Sequence, residues 1–338
     1  MSRRRITIRD VAERADVSIS TVSHAFSGGR PISSATKDRI TRAAAELGYE
    51  PNPSARSLRT GRSGIVGLIL RPRFALAGTS DRAETFNRLV GSVATEALRR
   101  KTGLIHVPDI DDPRAAKVPM DGCIVAHPYS GDRVLTEVLH RRIPVVTVEE
   151  DPQRPELPWA VRLDYPPVVT RLLDHLREQH ASDVMLLTGT ESNAWNVRTR
   201  ESYRAWCEHN GVPVRIDELS EGLTHGEAAQ LIGPLLAAPD RPDAIVVATS
   251  DFAALIAKLA ATQGVRVPEE LMIASLTDSE HSRTAEPAIT AMDLNHESLA
   301  KEAVELMLAR IDDAAEPEQP VVISPVLHLR ASTQRPRH

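Results

Sequence analysis

From residue 63 onward the chain alternates short apolar runs with longer segments of helical periodicity, and this alternation constrains the fold more than any other feature. The apolar runs are GIVGLIL, DGCIVAH, PVVTVE, DVMLLTG, DAIVVAT and LMIASL. Between them lie amphipathic segments such as ETFNRLVGSVATEALRR and SDFAALIAKLAATQG. Apolar strands bounded by helices are typical of a parallel sheet covered on both faces. About 270 residues are enough for two such sheets, with a ligand cleft at their carboxyl ends.

The first fifty residues predict three helices instead. Thr7 is a candidate N-cap for IRDVAERA, and Ser18 is a candidate N-cap for ISTVSHAF. Ser33 or Ser34 begins a third helix, TKDRITRAAAELGY, which Gly48 ends. Two helices of about eight residues joined by a short turn and followed by a supporting helix form a helix-turn-helix. The pattern alone is equally compatible with a three-helix bundle that binds no ligand.

The second helix of this head has a polar face suited to a DNA groove. If Val22 packs inward, then Ile19, Ser20 and His24 point outward. Serine and histidine can bond base edges, and an isoleucine can contact a thymine methyl group. Short hydroxyl side chains suit phosphate contacts, which position a protein on the duplex. The predicted contacts of this second kind are Thr7, Ser18, Thr21 and Ser23.

The charge of the chain is divided unevenly. Residues 1–62 hold 12 Lys and Arg against 6 Asp and Glu, whereas the remainder holds 29 against 40. A basic head on an acidic body predicts a polyanionic partner for the head alone. His24 in the reading face would also make DNA affinity depend on pH, since histidine titrates near neutrality.

Several classes of protein and site are not indicated. The two cysteines, Cys123 and Cys207, lie in apolar stretches and predict buried free thiols in a reducing cytoplasm. The sequence has neither a run of about 18 apolar residues nor an apolar segment behind its N-terminal arginines, so we expect no membrane helix and no secretory signal. It also lacks GxSxG, GxxxxGK[ST], GxGxxG and metal-ligand spacing among its 12 histidines. We therefore predict no catalytic residue, no cofactor and no metal.

The string TIRDVAERADVSISTVSHAFSGGRPISSATKDRITRAAAELGYEPNPSARSLRTGRS resembles the DNA-binding head of the lac/gal repressor family. The resemblance implies that PNPSARSLRTG is a hinge helix that folds on DNA and wedges Leu58 into the minor groove. An ordinary packing role for Leu58 in a linker helix is the alternative. The DNA contacts implied in this segment are Asn52, Arg56, Leu58 and Arg59.

The remainder of the chain is similar to the periplasmic-binding-protein-like sensor of the same family. The landmarks are DGCIV, HASDVMLLTG, RESYRAWCEHNGV, ATSDFAALIAKLAATQGVRVPEELMIASLTD and VLHLRAST. The expected fold is an all-α helix-turn-helix head plus an α/β sensor with two doubly wound parallel-sheet lobes. The expected domains are a helix-turn-helix domain (1–50), a hinge (51–62) and a sensor (63–338). The first lobe of the sensor is expected to comprise residues about 63–163 and 290–322, and the second lobe residues about 164–289 and 323–338.

The same resemblance implies where an effector would bind. The predicted contacts are Arg71, Phe74, Trp195, Arg198, Arg200, Asp251 and Asp278. Arg200 is preferred over Arg198 as the guanidinium on the effector. Trp195 is equally compatible with a platform for a sugar ring and with a loop anchor, and Asp251 with an N-cap of the helix that follows. Glu149 and Glu150 fit a solvated loop as well as a site.

These features together predict a transcriptional repressor whose operator affinity is set by a small-molecule effector, a sugar or a related metabolite, bound between the sensor lobes. The partners would be a pseudo-palindromic DNA operator and a second copy of the chain, as a homodimer or a tetramer. The two alternatives are a solute-binding protein of the same sensor fold and an enzyme fused to a DNA-binding head. The missing signal, the basic head and the absent catalytic motifs disfavour both.

Overall fold

The computed structural model describes residues 6–27, 30–50, 61–71, 83–107 and 119–335. It divides the chain into two compact units, one ending at Ile65 and the other beginning at Val66. The first unit is helical and the second is an α/β sensor. This is the fold class that the sequence predicts.

In the first unit the structure describes three helices, within residues 6–50. They are α1 (Ile8–Ala15), α2 (Ile19–Ser27) and α3 (Ser34–Leu47). The backbone N–H and the hydroxyl of Thr7 both donate to the Asp10 carboxylate, at 2.7 and 2.6 Å. Ser33 caps α3 by accepting from Thr36 N, and Gly48 ends that helix in the left-handed region. The three helices bury Val11, Val22 and Ile40 completely in a small apolar core.

Two six-stranded sheets form the sensor. The elements of the first lobe are β1 (Ile65–Leu70), α4 (Ala83–Arg99), β2 (Gly103–His106), β3 (Gly122–Ala126), α5 (Arg133–His140), β4 (Val145–Val148), β5 (Ala160–Leu163), α11 (His296–Ile311) and β11 (Val321–Ile323). Those of the second lobe are α6 (Tyr165–Glu178), β6 (Val184–Thr188), α7 (Ala194–Asn210), β7 (Ile216–Glu218), α8 (His225–Ala237), β8 (Ala244–Val247), α9 (Ser250–Thr262), β9 (Met272–Ser275), α10 (Glu280–Thr284), β10 (Thr290–Asp293) and β12 (Val326–His328).

The sheet order in the first lobe is β11-β5-β4-β3-β1-β2, and in the second lobe it is β12-β10-β9-β8-β6-β7. The central strands pair in parallel, and β12 pairs antiparallel with β10 at one edge of the second sheet. Strands β3, β4, β8 and β9 are buried along their whole length, as expected for a sheet covered on both faces.

The chain passes between the two lobes three times. The first crossing follows β5, the second follows β10, and the third lies between β11 and β12. The second crossing was predicted at about residue 290, and in the structure it lies after β10, which ends at Asp293. Residues 290 and 291 pair with Ala274 and Ser275 of β9, so the chain leaves the second lobe only after Asp293.

The two lobes touch at points other than the crossings. The Ser130 N–H donates to the Ser192 carbonyl at 2.7 Å, beside a β-bridge between Tyr129 and Asn193. On α4, the Glu84 carboxylate accepts from the Glu280 N–H at the start of α10, at 3.1 Å. Arg283 of α10 lies 3.5 Å from the same carboxylate. The lobes are therefore closed on one another.

Both cysteines are buried as free thiols, as predicted. Burial raises the pKa of the Cys123 thiol to about 12. In the described part of the chain, no helix is both long enough and apolar enough to cross a membrane.

Candidate functional site

A cavity lies between the two lobes at the ends of several strands, and three of its lining residues, His127, Ala248 and Leu294, directly follow β3, β8 and β10. Parallel strands present their carboxyl ends at one edge of a sheet, where ligands bind in open α/β folds. The space between the walls, including the mouth, is about 730 Å³. The described residues that line it are Thr85, Phe86, His127, Asn193, Trp195, Glu221, Ala248, Thr249, Ser250, Asp251, Phe252, Thr277 and Leu294.

Aromatic rings supply much of the apolar wall. The ring of Trp195, in the first turn of α7, meets the buried Tyr165 ring edge-on at a centroid distance of 5.8 Å. Phe86 of α4 meets the His127 ring in the same way at 5.4 Å. Flat rings held by neighbouring rings make a rigid surface for a ring-shaped ligand.

Two carboxylates supply the acceptors of the cavity. Asp251, in the first turn of α9, is 3% exposed, and its Oδ2 lies 3.4 Å from His225 Nε2. Glu221 accepts from the Thr190 N–H at 2.9 Å and from Asn196 Nδ2 at 2.7 Å. The cavity can therefore accept hydrogen bonds from a ligand that carries O–H or N–H groups.

Two buried histidines lie at the first-lobe side of the cavity. Burial, reinforced by His296, lowers the pKa of His127 to about 3. Burial also lowers the pKa of His296, at the start of α11, to about 4. His127 is therefore neutral at physiological pH, and its ring can offer one donor and one acceptor.

Hydrogen bonds between serine and threonine residues connect the segments that follow β8 and β9. Thr277 Oγ1 accepts from the Ser250 N–H at 2.9 Å, and the Ser250 hydroxyl donates to Ser279 Oγ at 2.7 Å. The first helical turn of α9 is thus held against the segment that follows β9. Thr249 is the N-cap of α9, so Asp251 is not the cap and is placed in the cavity wall instead.

Of the predicted effector residues, the structure brings Trp195 and Asp251 to the cavity. It does not bring Arg198 or Arg200 there. Arg200 Nη1 pairs with Glu218 at 2.8 Å, whereas Arg198 points to the other side of α7 and pairs with Glu150 at 2.6 Å. Trp195 and Arg198, three residues apart, lie on one side of α7, and Arg200 lies on another. Of the three, only Trp195 is among the residues that line the cavity.

Asp278 is also outside the cavity, because its neighbour Thr277 takes the lining position. The Asp278 carboxylate is buried and accepts from Arg330 at 2.8 and 3.0 Å. Arg283 lies 3.1 Å away. Burial opposes ionisation, but the bonds from Arg330 and Ser282 outweigh it and hold the pKa of Asp278 below its ordinary value. Its role in the structure is an ion pair that anchors the C-terminal segment.

Asp278 also lies within 4.8 Å of ligand atoms of Asp293 and His328, a grouping that could hold a metal ion by distance alone. Because the Asp278 oxygens are already bonded to guanidinium groups, this grouping is poorly suited to a cation.

Of the two remaining predicted effector residues, the structure describes only Arg71. Arg71 follows β1 and is buried, with its Nε 2.8 Å from Asp132 Oδ2 and its guanidinium over the Tyr129 ring. Arg71 is therefore beside the contact between the lobes and not among the lining residues. Phe74 lies outside the described residues.

Glu149 and Glu150 do not form a solvated loop, contrary to one of the two expectations for them. They are 1% and 6% exposed. Glu150 pairs with Arg162 at 2.9 Å and with Arg198 at 2.6 Å. Glu149 Oε1 accepts from the Leu163 N–H at 3.1 Å, and burial raises the pKa of Glu149 to about 8.

In the head, the predicted base-reading side chains lie on α2. Ile19 is 43% exposed, Ser20 is exposed and His24 is half-buried. The hydroxyls of Ser20 and Thr21 both bond to Ser18 Oγ at 2.7 Å, so the start of α2 carries a connected group of hydroxyls. Ser23 is half-buried on the same helix. The predicted hinge contacts Asn52, Arg56, Leu58 and Arg59 lie outside the described residues.

The sequence prediction missed several lining residues, notably Phe86, His127, Asn193, Glu221 and Phe252. His127 had a usable signal, because it is the last residue of the predicted strand DGCIVAH and ligands bind at strand ends. Glu221 had none, since it reaches the cavity through a loop after the short edge strand β7.

Comparison with family models gives two matches. Residues 7–52 match the model described as bacterial regulatory proteins, lacI family. Residues 173–333 match the model of a periplasmic binding protein-like domain.

Full-length relatives and structures agree with these models. The HTH-type transcriptional repressor PurR of Erwinia tasmaniensis is 28% identical over 340 residues, with 96% of each chain covered. Catabolite control protein A of Priestia megaterium is 23% identical and covers 85% of this chain and 87% of its own length. The lac repressor dimer bound to operator and the anti-inducer ONPF superposes with a TM-score of 0.82 at 20% identity, over 98% of this chain and all of that chain. The regulator CelR in complex with cellobiose gives 0.70 at 23% identity, over 97% of this chain and all of that chain.

Proposed function

The chain belongs to the lacI family of bacterial regulatory proteins, and we propose that it is a cytoplasmic repressor that binds a pseudo-palindromic operator as a homodimer under control of a small-molecule effector. That it is a DNA-binding transcriptional regulator follows from the family. The observation that supports effector control is the closed cavity, which combines aromatic walls with buried polar groups. We infer no catalytic role for these polar groups.

The proposed DNA contacts are those of the head. Ile19, Ser20 and His24 would read base edges in the major groove. Thr7, Ser18, Thr21 and Ser23 would contact phosphates, with Asn52, Arg56, Leu58 and Arg59 following in the hinge. The exposure of Ile19 and Ser20 supports the first set. The Thr7 hydroxyl is engaged with Asp10, so a phosphate would have to compete with that bond.

The proposed effector site is the cavity between the lobes, with Trp195 and Asp251 as its first contacts. Trp195 offers a ring face, and Asp251 offers acceptor oxygens for hydroxyl or N–H donors. A sugar or a related ring-shaped metabolite fits this pairing, and the similar regulator CelR was solved with cellobiose. Effector binding need supply only about 1–3 kcal/mol of coupling free energy to change operator affinity appreciably.

Two measurements test this proposal. Duplex binding by the full chain should show log K falling linearly with log salt, because phosphate contacts release counterions. A thermal-shift screen of sugars, sugar phosphates and nucleobases should find a compound that raises the melting temperature, since a ligand of the folded state stabilises it. The same compound should change the affinity for the duplex. Duplex binding measured with and without the compound shows whether it weakens or strengthens the complex.

The Trp195→Ala and Asp251→Asn variants should lose the thermal shift but keep duplex binding. Glu208→Gln, on the exposed side of α7, is the matched control. Failure to bind any duplex at about 50 mM salt, with and without the compounds, would refute the regulatory function.

A further inference from the structure

A second cluster of titratable groups lies at the first crossing between the lobes. Glu149 directly follows β4, with φ of 68°. Its N–H donates to the Val161 carbonyl at 2.7 Å, and its Oε1 accepts from the Leu163 N–H at 3.1 Å. Both partners belong to β5, the strand that leads into the crossing. Glu149 is therefore attached to the segment about which the lobes can rotate.

The second carboxyl oxygen of Glu149 faces the first residue of the other lobe. Tyr165 begins α6 and is 3% exposed. Among the described residues, neither Glu149 Oε2 nor the Tyr165 hydroxyl has a partner with hydrogen-bond geometry, and both atoms are fully buried. Each group is nevertheless close enough to influence the ionisation of the other. A small movement at the crossing is enough to make or lose this contact.

The two arginines near Glu149 already form ion pairs with a different acid. Glu149 lines a second cavity, of about 790 Å³ including its mouth, and the other charged residues that line it are Glu150, Arg162, Asp164 and Arg198. Arg162 and Arg198 both pair with Glu150. Burial is the main reason that the pKa of Glu149 rises to about 8, and it also raises the pKa of Tyr165. At neutral pH the contact is therefore between a carboxylic acid and a phenol, and above pH 8 it is between a buried carboxylate and a phenol.

One residue of this contact, Tyr165, packs against a residue of the effector cavity. The Tyr165 ring packs edge-on against Trp195, which lines the cavity. Arg198, one turn further along α7, connects the same helix to Glu150 in the first lobe. The first turn of α7 is thus held by two adjacent contacts at the crossing, one of them proton-dependent.

We propose that Glu149 and Tyr165 are positioning residues that hold Trp195 in the cavity wall through a proton-dependent contact at the first crossing. Ionisation of Glu149 puts a charge into a buried position, and the crossing opens to hydrate it. The first turn of α7 then loosens, and Trp195 leaves its position. The inference builds on the proposed effector site, but the contact itself exists without effector or DNA.

The test follows Trp195 in the full chain without any ligand. Trp159→Phe and Trp206→Phe leave Trp195 as the sole tryptophan, and its fluorescence is recorded between about pH 6.5 and 9.5. We expect a transition with a midpoint near pH 8. Glu149→Gln, which cannot ionise, should abolish the transition, and Tyr165→Phe, which keeps the ring but loses the hydroxyl that favours the Glu149 carboxylate, should move the midpoint to higher pH. Glu208→Gln should leave it unchanged.

Hydrogen exchange of residues 193–198 in the chain with all its tryptophans gives a second readout that does not depend on the Trp→Phe background. After correction for the intrinsic rate, exchange should be faster at about pH 9 than at about pH 7 in the natural sequence and equal in Glu149→Gln. An identical pH profile for both chains in both measurements overturns the inference. It leaves the regulatory function standing, because neither measurement involves DNA or effector.

Discussion

At the scale of single residues, Asp278 joins three parts of the second lobe. Its buried carboxylate accepts from Arg330 near the C-terminus and from Ser282 and Arg283 of α10. Asp278→Ala leaves the Arg330 guanidinium, 18% exposed, without its carboxylate. Breaking a buried pair in this way should lower the free energy of unfolding by about 3–5 kcal/mol.

Urea unfolding at neutral pH measures this loss. Glu208→Gln removes an exposed acid elsewhere in the lobe and should change the free energy by less than about 0.5 kcal/mol. A loss for Asp278→Ala as small as that of the control would show that the pair adds nothing to stability.

The buried histidines predict sensitivity to acid. The pKa values of His127 and His296 are about 3 and about 4 in the folded chain, against 6.5 for an ordinary histidine. Between the folded-state pKa of each histidine and its ordinary value of 6.5, the unfolded chain binds more protons than the folded one. The stability that they contribute is therefore complete above pH 6.5 and is lost as the pH falls toward 4.

The measurement is the urea midpoint of the sensor between pH 7 and pH 4, with and without His296→Asn. The variant should show a shallower decline across this window. Equal slopes for the two chains would mean that His296 is not held neutral by its surroundings.

Only part of the candidate site could be predicted from residue types. Trp195 and Asp251, which the structure places in the cavity wall, each stand near a predicted strand end and carry a distinctive side chain. Arg198 and Arg200 lie outside the lining, because the direction of a side chain on α7 depends on where the helix packs, and both pair with acids elsewhere. Glu221 is brought in only by tertiary structure.

At the scale of elements, the turn after β6 requires a glycine for space. A Cβ on Gly189 would lie 1.7 Å from Glu221 Oε1 and 2.8 Å from Asn196 Nδ2. Gly189→Ala must displace Glu221 from Asn196 and from the Thr190 N–H. We expect a loss of about 1–3 kcal/mol in stability, as for overpacking in general, together with weaker effector binding.

Gly222→Ala is the matched control, because a Cβ there would meet only Ser220 Oγ, at 3.6 Å. Thermal unfolding and calorimetric titration of both variants separate the two effects. If Gly189→Ala behaves like Gly222→Ala, then Glu221 is not held as tightly as the distances indicate.

The strands show how far sequence patterns reach. The six long apolar runs became β1, β3, β4, β6, β8 and β9, which lie at the centres of the sheets. The unpredicted strands have three or four residues each: GLIH, AVRL, IDE, TAMD, VVI and VLH. All six lie at an edge of a sheet or next to one and are only partly buried, so they need no continuous apolar run, and their pairing is decided by the rest of the sheet.

At the scale of the whole sensor, closure depends on contacts outside the crossings. Glu84 of the first lobe meets the Glu280 N–H and Arg283 of the second. The Glu84 side chain is 28% exposed, so the contact should contribute about 0.2–1 kcal/mol. Glu84→Ala should therefore reduce the ratio of closed to open sensor by up to about fivefold.

Small-angle X-ray scattering would detect the change as a larger radius of gyration of the effector-free chain. Glu137→Ala, whose partner Arg141 is the C-cap of the same helix α5, should not alter the scattering. Equal radii for both variants would place the control of closure in the backbone contacts at Ser130 and Tyr129 instead.

The three crossings have a consequence for how the protein is made. The first lobe holds β1 to β5 early in the chain, yet its edge strand β11 ends only at Ile323 and its helix α11 begins at His296. A ribosome must therefore deliver nearly the entire second lobe before the first can be completed. Until then the exposed side of β5 and the helices that await α11 are open to chaperones and to other nascent chains. A stop codon or frameshift late in the gene would leave both lobes unfinished, so no shortened product could act as a half-sensor.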